Sequence, residues 1–379
     1  MGAGRADQGA SPPWLPAAAR HTGDAAATAT QAAASAPAAA SAPSRAPARP
    51  RGGKLRAWAE LLRISAVFTV PGDALAGAAA AGRRPNRGTL LAAGASLCLY
   101  EAGMALNDYA DRDVDAIERP HRPIPSGRIS PRAALAAATA LTAAGLSLAA
   151  AAGRKPLALA TALAGTVWAY DLRLKQTPAG PAAMAAARGL DLLLGSASAR
   201  AAAASAVKGP GGIPPVSGRG GSGASPLRAT APRRTTPLPA ATLLAAHTYA
   251  VTTVSRREAE GGATVPPLAA LAATTAITYT LRDSGPRSGH HTSRQPPTPA
   301  AAATAAAAAL YFTTAAKPSL HAALNPSPLL TQRAVGGGIR AMIPLQAALA
   351  ARAGHPVTAA AITALAPLAR RVARKVSAT

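Results

Sequence analysis

The sequence predicts an all-α, polytopic membrane protein with about nine transmembrane helices. Three observations lead there. Only 15% of the 379 residues are charged, against roughly 25% in ordinary soluble domains. Apolar residues reach 49% although aromatic ones make up just 3%, so Ala and Gly supply the bulk, which suits closely packed membrane helices. The 40 Lys and Arg and the 15 Asp and Glu, formally +25, sit mostly between long uncharged runs, the layout of spans joined by charged loops. A soluble nucleic-acid binder would cluster such charge with stacking aromatics, so no nucleic-acid partner is expected. A single cysteine, Cys98, excludes a disulfide scaffold and a cysteine-based zinc site.

Residues 1–53 are rich in Ala, Pro, Ser and Thr, with no apolar run of spanning length. They read as a disordered tail; a transit peptide competes, because the stretch is basic and poor in acids. The transmembrane domain then covers 54–373. Lys54 to Arg63 (KLRAWAELLR) reads as an amphipathic helix at the membrane surface. Apolar stretches follow at about 64–82, 89–107, 132–152, 156–170, 179–199, 238–254, 264–281, 299–316 and 340–368, each closed by Gly, Pro or basic residues. The last reads as one helix, or as two broken near Gly354 to Pro356. Residues 200–237 and 282–298 are dominated by Gly, Pro, Ser and Arg and read as flexible loops. The adjacent His290 and His291 in the second have no further ligand at a fixed spacing. An Ala-rich soluble bundle is the competing architecture, but uncharged runs this long and frequent favour the membrane. Loop charge puts the 108–132 segment, with its arginines, on the cytoplasmic side together with the basic N-terminal arm, although the opposite loop at 83–87 also carries Arg83, Arg84 and Arg87.

The acids are concentrated. Five of the 15 fall between Asp108 and Glu118, in NDYADRDVDAIERPHRPIPSGRIS, residues 107–130. Asp108, Asp111 and Asp115 are spaced i, i+3, i+7, so on a helix they share a face bordered by Asn107. Carboxylates gathered this way repel each other and call for a cation. Mg²⁺ suits hard oxygen ligands and keeps sites for water and substrate phosphate. A solvated, mixed-charge helix end is the plainer reading, and Arg112 and Asp113, which point off that face, fit it. Arg119, His121, Arg122 and Arg128 place cationic donors within one loop of the carboxylates, as a phosphate or diphosphate needs. The PIPSG turn would fold that loop back over the site.

NDYADRDVD resembles the N-D-x-x-D-x-x-x-D signature of UbiA-type intramembrane prenyltransferases, of the 4-hydroxybenzoate polyprenyltransferase-like kind. WAYDLRLKQTPAGPAAMAAARGLDLLLG, residues 168–195, resembles the same family's Y-D-x-x-x-K element. The resemblance is close over roughly 60–200 and loose elsewhere. It implies helices around a central cavity and transfer of a prenyl group from a prenyl diphosphate to a small acceptor, usually aromatic, with Mg²⁺ as cofactor. It implies that Asp108, Asp111 and Asp115 bind the metal and, with Asn107, the diphosphate. Lys175 contacts the diphosphate, and Tyr170 and Asp171 line the substrate site. The protein is then a multi-pass cell-membrane protein whose active-site loops face the cytoplasm and whose tunnel contacts lipid.

The family's second acidic motif is thin here. HTYAVTTVSRREAEGGATVPP, residues 247–267, offers only Glu258 and Glu260, which do not share a helical face. Glu258 is read as the substitute for the missing Asp cluster, with Arg256 or Arg257 on phosphate; an ordinary solvated loop is the alternative. The reduced motif points to a branch of the family, of the actinobacterial type that the Ala, Gly and Arg content suggests, or to a non-catalytic isoprenoid-binding or transport protein of the same fold. Ionisable residues inside spans are costly and suspect. Asp73 and Glu101 stand out, with Glu101 one to two turns deeper than Asp108 on its face. Arg188 and Asp191 (i, i+3) are expected to neutralise each other within their helix, and for Asp171 and Lys175 (i, i+4) a plain helix pair is the alternative. Trp58 and Trp168 are expected in the interfacial belt, and Cys98 as a small buried apolar residue.

Overall fold

A computed structural model describes residues 51–63, 69–207, 236–283 and 298–377. The expected tail through residue 50, most of the expected loops at 200–237 and 282–298, and His290 and His291 lie outside the described residues. Among the described residues the chain is wholly helical.

The helix α1, Arg51–Leu61, lies where an amphipathic surface helix is expected, but its apolar side faces protein. Ala57 and Leu61 are fully buried with Leu106, Ile124, Ile129, Ala134 and Ala138, and Trp58 and Trp168 pack against the same cluster. The Trp168 indole donates to Thr142 Oγ1 at 3.1 Å. Both tryptophans thus fasten helices to one another.

The apolar stretches become α2 (Val70–Ala80), α3 (Arg87–Ala110), α5 (Pro131–Ala152), α6 (Arg154–Ala169), α7 (Gly180–Val207), α8 (Leu238–Ser255), α9 (Val265–Arg282) and α10 (Pro299–Leu324), with a short α4 (Arg112–Glu118) between α3 and α5. The C-terminal stretch is two helices, α11 (Pro328–Arg352) and α12 (Pro356–Ser377). They part at Gly354, whose φ of +86° an L side chain would resist. By length and composition α3, α5 and α11 are long and apolar enough to cross a membrane. The other helices are shorter or richer in polar residues.

One expectation fails clearly. The stretches expected at about 299–316 and 340–368 leave 317–339 outside any span. Instead α10 runs on to Leu324 and α11 starts at Pro328. The glycines are where helices meet. A Cβ on Gly337 would stand 3.0 Å from Thr314 O and 2.9 Å from Pro318 Cγ of α10, and one on Gly338 would strike Val251 of α8. The same device joins α2 to α7: a Cβ on Gly77 would strike Leu192 O, and one on Gly195 would lie 2.6 Å from Ala74 Cα. Small residues let backbones approach in this way. The main core then forms around Leu192, Leu244, Tyr311, Leu345 and Leu349, where α2 and α7–α12 converge.

Candidate active site

The acidic segment straddles a helix break. α3 ends at Ala110, Asp111 adopts φ −88°, ψ 2°, and α4 resumes at Arg112. Backbone bonds bridge the break, from Asp111 N–H to Asn107 O at 2.9 Å and from Asp115 N–H to Asp111 O at 2.8 Å. The helical phase therefore persists, and the carboxylates at 108, 111 and 115 stay on one side. Asp108 and Asp115 are buried. Asp113 points outward, its side chain 83% exposed and paired only with Arg112.

Each inward carboxylate meets cations. Arg63 Nη2 lies 3.2 Å from Asp108 Oδ1. Arg122 Nη1 lies 2.6 Å from Asp115 Oδ2 and 3.5 Å from Asp108 Oδ1, so a single guanidinium bridges two acids. Arg119 Nη1 lies 3.5 Å from Asp115 Oδ1. Lys175 Nζ pairs with Asp111 Oδ1. The Asn107 side chain lies within electrostatic reach of the Asp108 carboxylate. Arg122 reaches its partners because the PIPSG segment turns back. Ile129 N–H donates to Pro123 O, Gly127 takes φ +69°, and Ile124 and Ile129 are buried. Arg128 is placed differently from Arg122. It grips Glu60 of α1 through both Nη atoms, at 2.7 and 3.1 Å, and donates to His121 O at 2.6 Å, so it holds the loop to α1.

Lys175 owes its position to a π-helical turn, Tyr170–Leu174, which follows α6 directly. Its own N–H bonds back five residues to Tyr170 O at 2.9 Å. The wider turn carries Lys175 across to Asp111, so its ion pair joins two segments in place of the alternative pair within the helix. Such bulges recur at functional sites. Asp171 is buried under the same turn. Burial pushes its carboxyl up to about 7, with Lys175 pulling the other way. Tyr170 lies within electrostatic reach of Asp171, Asp111 and Arg256.

The weaker second loop arrives at the same end of the bundle. Arg256 caps α8, and its Nη1 donates to Thr177 O at 2.5 Å and to Lys175 O at 3.4 Å. It thereby fixes the backbone that carries Lys175. Glu258 is half-buried near Arg119; burial raises its carboxyl, and the Arg119 charge opposes the rise. Arg257 and Glu260 form an exposed pair at 3.1 Å. His247, on the same stretch of α8, is buried and bonds Tyr311 Oη and Gly338 O, each at 3.0 Å. It ties α8 to α10 and α11.

Arg63 was not singled out from sequence as a site residue. Its only signal was a cation closing the α1 segment, 45 residues before Asp108. It is held at φ +49° just beyond the helix. The sequence also misassigned the partners of Arg188. Its Nη1 pairs with Asp73 of α2 instead of Asp191, and Asp73 also accepts from Gln346 Nε2 of α11 at 2.6 Å. Asp191 takes the Ser96 hydroxyl of α3. The reason is the close α2–α7 approach, which puts Asp73 nearer to Arg188 than one helical turn puts Asp191.

As a metal site, the carboxylates supply hard oxygens in the right chemical class. Among the described residues no three His, Cys, Asp or Glu side chains converge tightly enough to cage an ion unaided. That fits Mg²⁺, which usually takes one or two carboxylates and completes its shell with water and substrate phosphate. Asp111, with its side chain 26% exposed, is the most accessible donor, and Asp108 lies buried beside it. Four cations, Arg63, Arg119, Arg122 and Lys175, face the carboxylates of Asp108, Asp111 and Asp115, which leaves charge for a further anion.

The chain resembles known proteins of one family. The sequence profile of the UbiA prenyltransferase family matches residues 66–311. A digeranylgeranylglyceryl phosphate synthase of Methanopyrus kandleri is 40% identical over 129 residues, 33% of this chain and 46% of that protein. One of the same name from Methanothrix thermoacetophila is 45% identical over 106 residues, 28% of this chain and 40% of that protein. The chain thus spans less than half the length of these curated relatives. A solved UbiA homologue from Archaeoglobus fulgidus, bound to DMAPP and Mg²⁺, aligns over 75% of this chain and 98% of its own at 15% identity and a TM-score of 0.44. The family profile covers well over half of the sequence, including the acidic segment, the π-helical turn and the Arg256 loop, and by that measure the chain belongs to the UbiA prenyltransferase family.

Proposed function

We propose that the protein is a Mg²⁺-dependent prenyltransferase, moving a prenyl group from a prenyl diphosphate to a small acceptor inside a membrane. The observation that carries this reading is the meeting, at one end of the bundle, of the Asp108–Asp111–Asp115 face with Arg63, Arg119, Arg122 and Lys175. Asp108, Asp111 and Asp115 would hold the metal. When bound, Mg²⁺ neutralises the charge that builds on the leaving diphosphate. The cations now paired to the carboxylates would turn to the phosphate oxygens, Lys175 and Arg122 foremost. Charge-assisted donors aimed at a developing anion are worth most where water is excluded. Arg256 and the π-helical turn keep Lys175 in place, and Glu258 reaches the same group through Arg119. Asn107, Tyr170 and Asp171 border the diphosphate. Arg128 acts through the loop it fastens.

We read the chain as about nine spans in the cell membrane, like other UbiA proteins, with the active-site loops cytoplasmic. The interior supplies a dry channel for the isoprenoid tail. An aromatic acceptor follows from the family resemblance. The named relatives favour a second reading, in which the acceptor is an alcohol such as a prenylated glyceryl phosphate. Incubating the purified protein with Mg²⁺ and radiolabelled geranylgeranyl diphosphate tests the reading. Diphosphate release that needs both metal and Asp111 supports it. Prenyl diphosphate bound without any release would favour a non-catalytic isoprenoid carrier. Cysteines placed at 128 and 257 should label from the same side of sealed vesicles.

A further inference from the structure

Below the carboxylate site the α3 face continues inward to Glu101. It lies seven residues before Asp108, hence about 10 Å deeper along the helix, and on nearly the same side. One of its oxygens, Oε2, is buried and meets no hydrogen-bond donor. Among the described residues no cation pairs with it, whereas Asp108, Asp111, Asp115 and Asp73 each have one. A polar atom buried without a partner costs folding free energy, and in a bundle interior an ionisable group is a functional candidate by default. Arg188 is already engaged by Asp73, and Asp191 by Ser96. Glu101 is left with a buried oxygen that meets no partner.

We propose that Glu101 receives the acceptor, which is a hydroxyl compound, and takes its proton. This rests on the prenyltransferase reading above. With the diphosphate held at Asp108 and Asp111, the reacting carbon lies between that site and Glu101. The unpartnered Oε2 needs a donor, which the acceptor's O–H group supplies. In the step, the bond from the prenyl C1 to the diphosphate oxygen breaks, and its electron pair leaves with the diphosphate. The acceptor oxygen forms the new bond to C1, its proton passes to the Glu101 carboxylate, and the product is a prenyl ether. A carboxylate without a counter-ion in an apolar setting is suited to that transfer.

The test supplies the purified full chain with Mg²⁺, radiolabelled geranylgeranyl diphosphate and either 1-O-octadecylglycerol or 4-hydroxybenzoate, and determines the product linkage. The parent should form the ether with the alkylglycerol. Glu101→Gln should lower ether formation about 100-fold with little change in KM for the prenyl diphosphate, and Glu101→Asp should retain part of the rate. Because the carboxylate gains nothing from its surroundings, Glu101→Gln should melt no lower than the parent. Ether formation by Glu101→Gln at the parent rate overturns the proposal. So does a parent that prenylates only a ring carbon of 4-hydroxybenzoate, or that releases diphosphate without making the ether; in each of these the prenyltransferase reading survives. A parent that releases no diphosphate at all overturns that reading and this proposal together.

Discussion

Two ionic networks in this molecule are built from the same residue types and sit in opposite settings. At the bundle end, Asp108, Asp111 and Asp115 meet Arg63, Arg119, Arg122 and Lys175, side chains that are between 14% and 49% exposed. In the interior, Asp73 is wholly buried against Arg188, and Gln346 closes the third side. The first network has more cations than acids, and those cations lie at helix ends and in the loop that follows α4. The second joins three helices, α2, α7 and α11, and has no route for exchange. A buried pair is expensive to break because each partner leaves the other's charge unmet; a solvent-touched pair is cheap to break and free to rearrange. The contrast marks the first as a place for a ligand and the second as a staple.

The largest expected effect follows from the staple. Asp73→Ala strands the Arg188 guanidinium in the interior and should cost about 3–5 kcal/mol of stability, read as a large drop in the detergent melting temperature. If Asp73→Ala melted like the parent, the two networks would not differ as argued. The matching change at the bundle end, Asp111→Ala, should leave the melting temperature nearly unchanged and lower Mg²⁺-dependent transfer about 100-fold or more. Asp113→Ala should stay within about twofold, since it removes only an exposed pair. Equal damage from Asp113→Ala would refute the shared-face geometry.

Glu258 sharpens the comparison, because it lies between the two settings. Glu258→Gln should reduce turnover about tenfold with KM little changed, as expected of a group that acts when charge develops. Glu260→Gln, whose parent residue pairs only with exposed Arg257, should behave like the parent. The smallest effect concerns pH. Burial raises the Glu258 carboxyl above its ordinary value, so the folded chain holds that proton more tightly than the unfolded chain. The stability it contributes is complete below the ordinary carboxylate range and is lost as pH rises through the raised value. Glu258→Gln should flatten stability against pH over that window, seen in melting temperatures between about pH 4 and 7.

Much of the site was legible because it is local. The i, i+3, i+7 spacing of Asp108, Asp111 and Asp115 survives the helix break, since backbone bonds from Asp111 to Asn107 and from Asp115 to Asp111 keep the phase. The outward direction of Asp113 follows from the same arithmetic. Most helix positions were readable from runs of uncharged residues, and the break near Gly354 was one of two readings of the last run. What failed had a common cause. Pairing rules based on i, i+3 and i, i+4 spacing assume that a side chain's nearest opposite charge is on its own helix. Lys175 and Arg188 both contradict that: one is turned to Asp111 by a π-helical turn, the other is drawn to Asp73 by an approach of α2 and α7 that Gly77 and Gly195 allow.

The sequence alone thus determined the helical class, the order of the elements and the acidic face, because each depends on periodicity within one segment. The tertiary structure decided the rest: that Arg63 and Lys175 reach that face, that Arg256 braces the second loop on the first, and that Gly336, Gly337 and Gly338 lie inside a helix. Those outcomes depend on which backbones can approach closely, and that is a property of pairs of helices far apart in the chain.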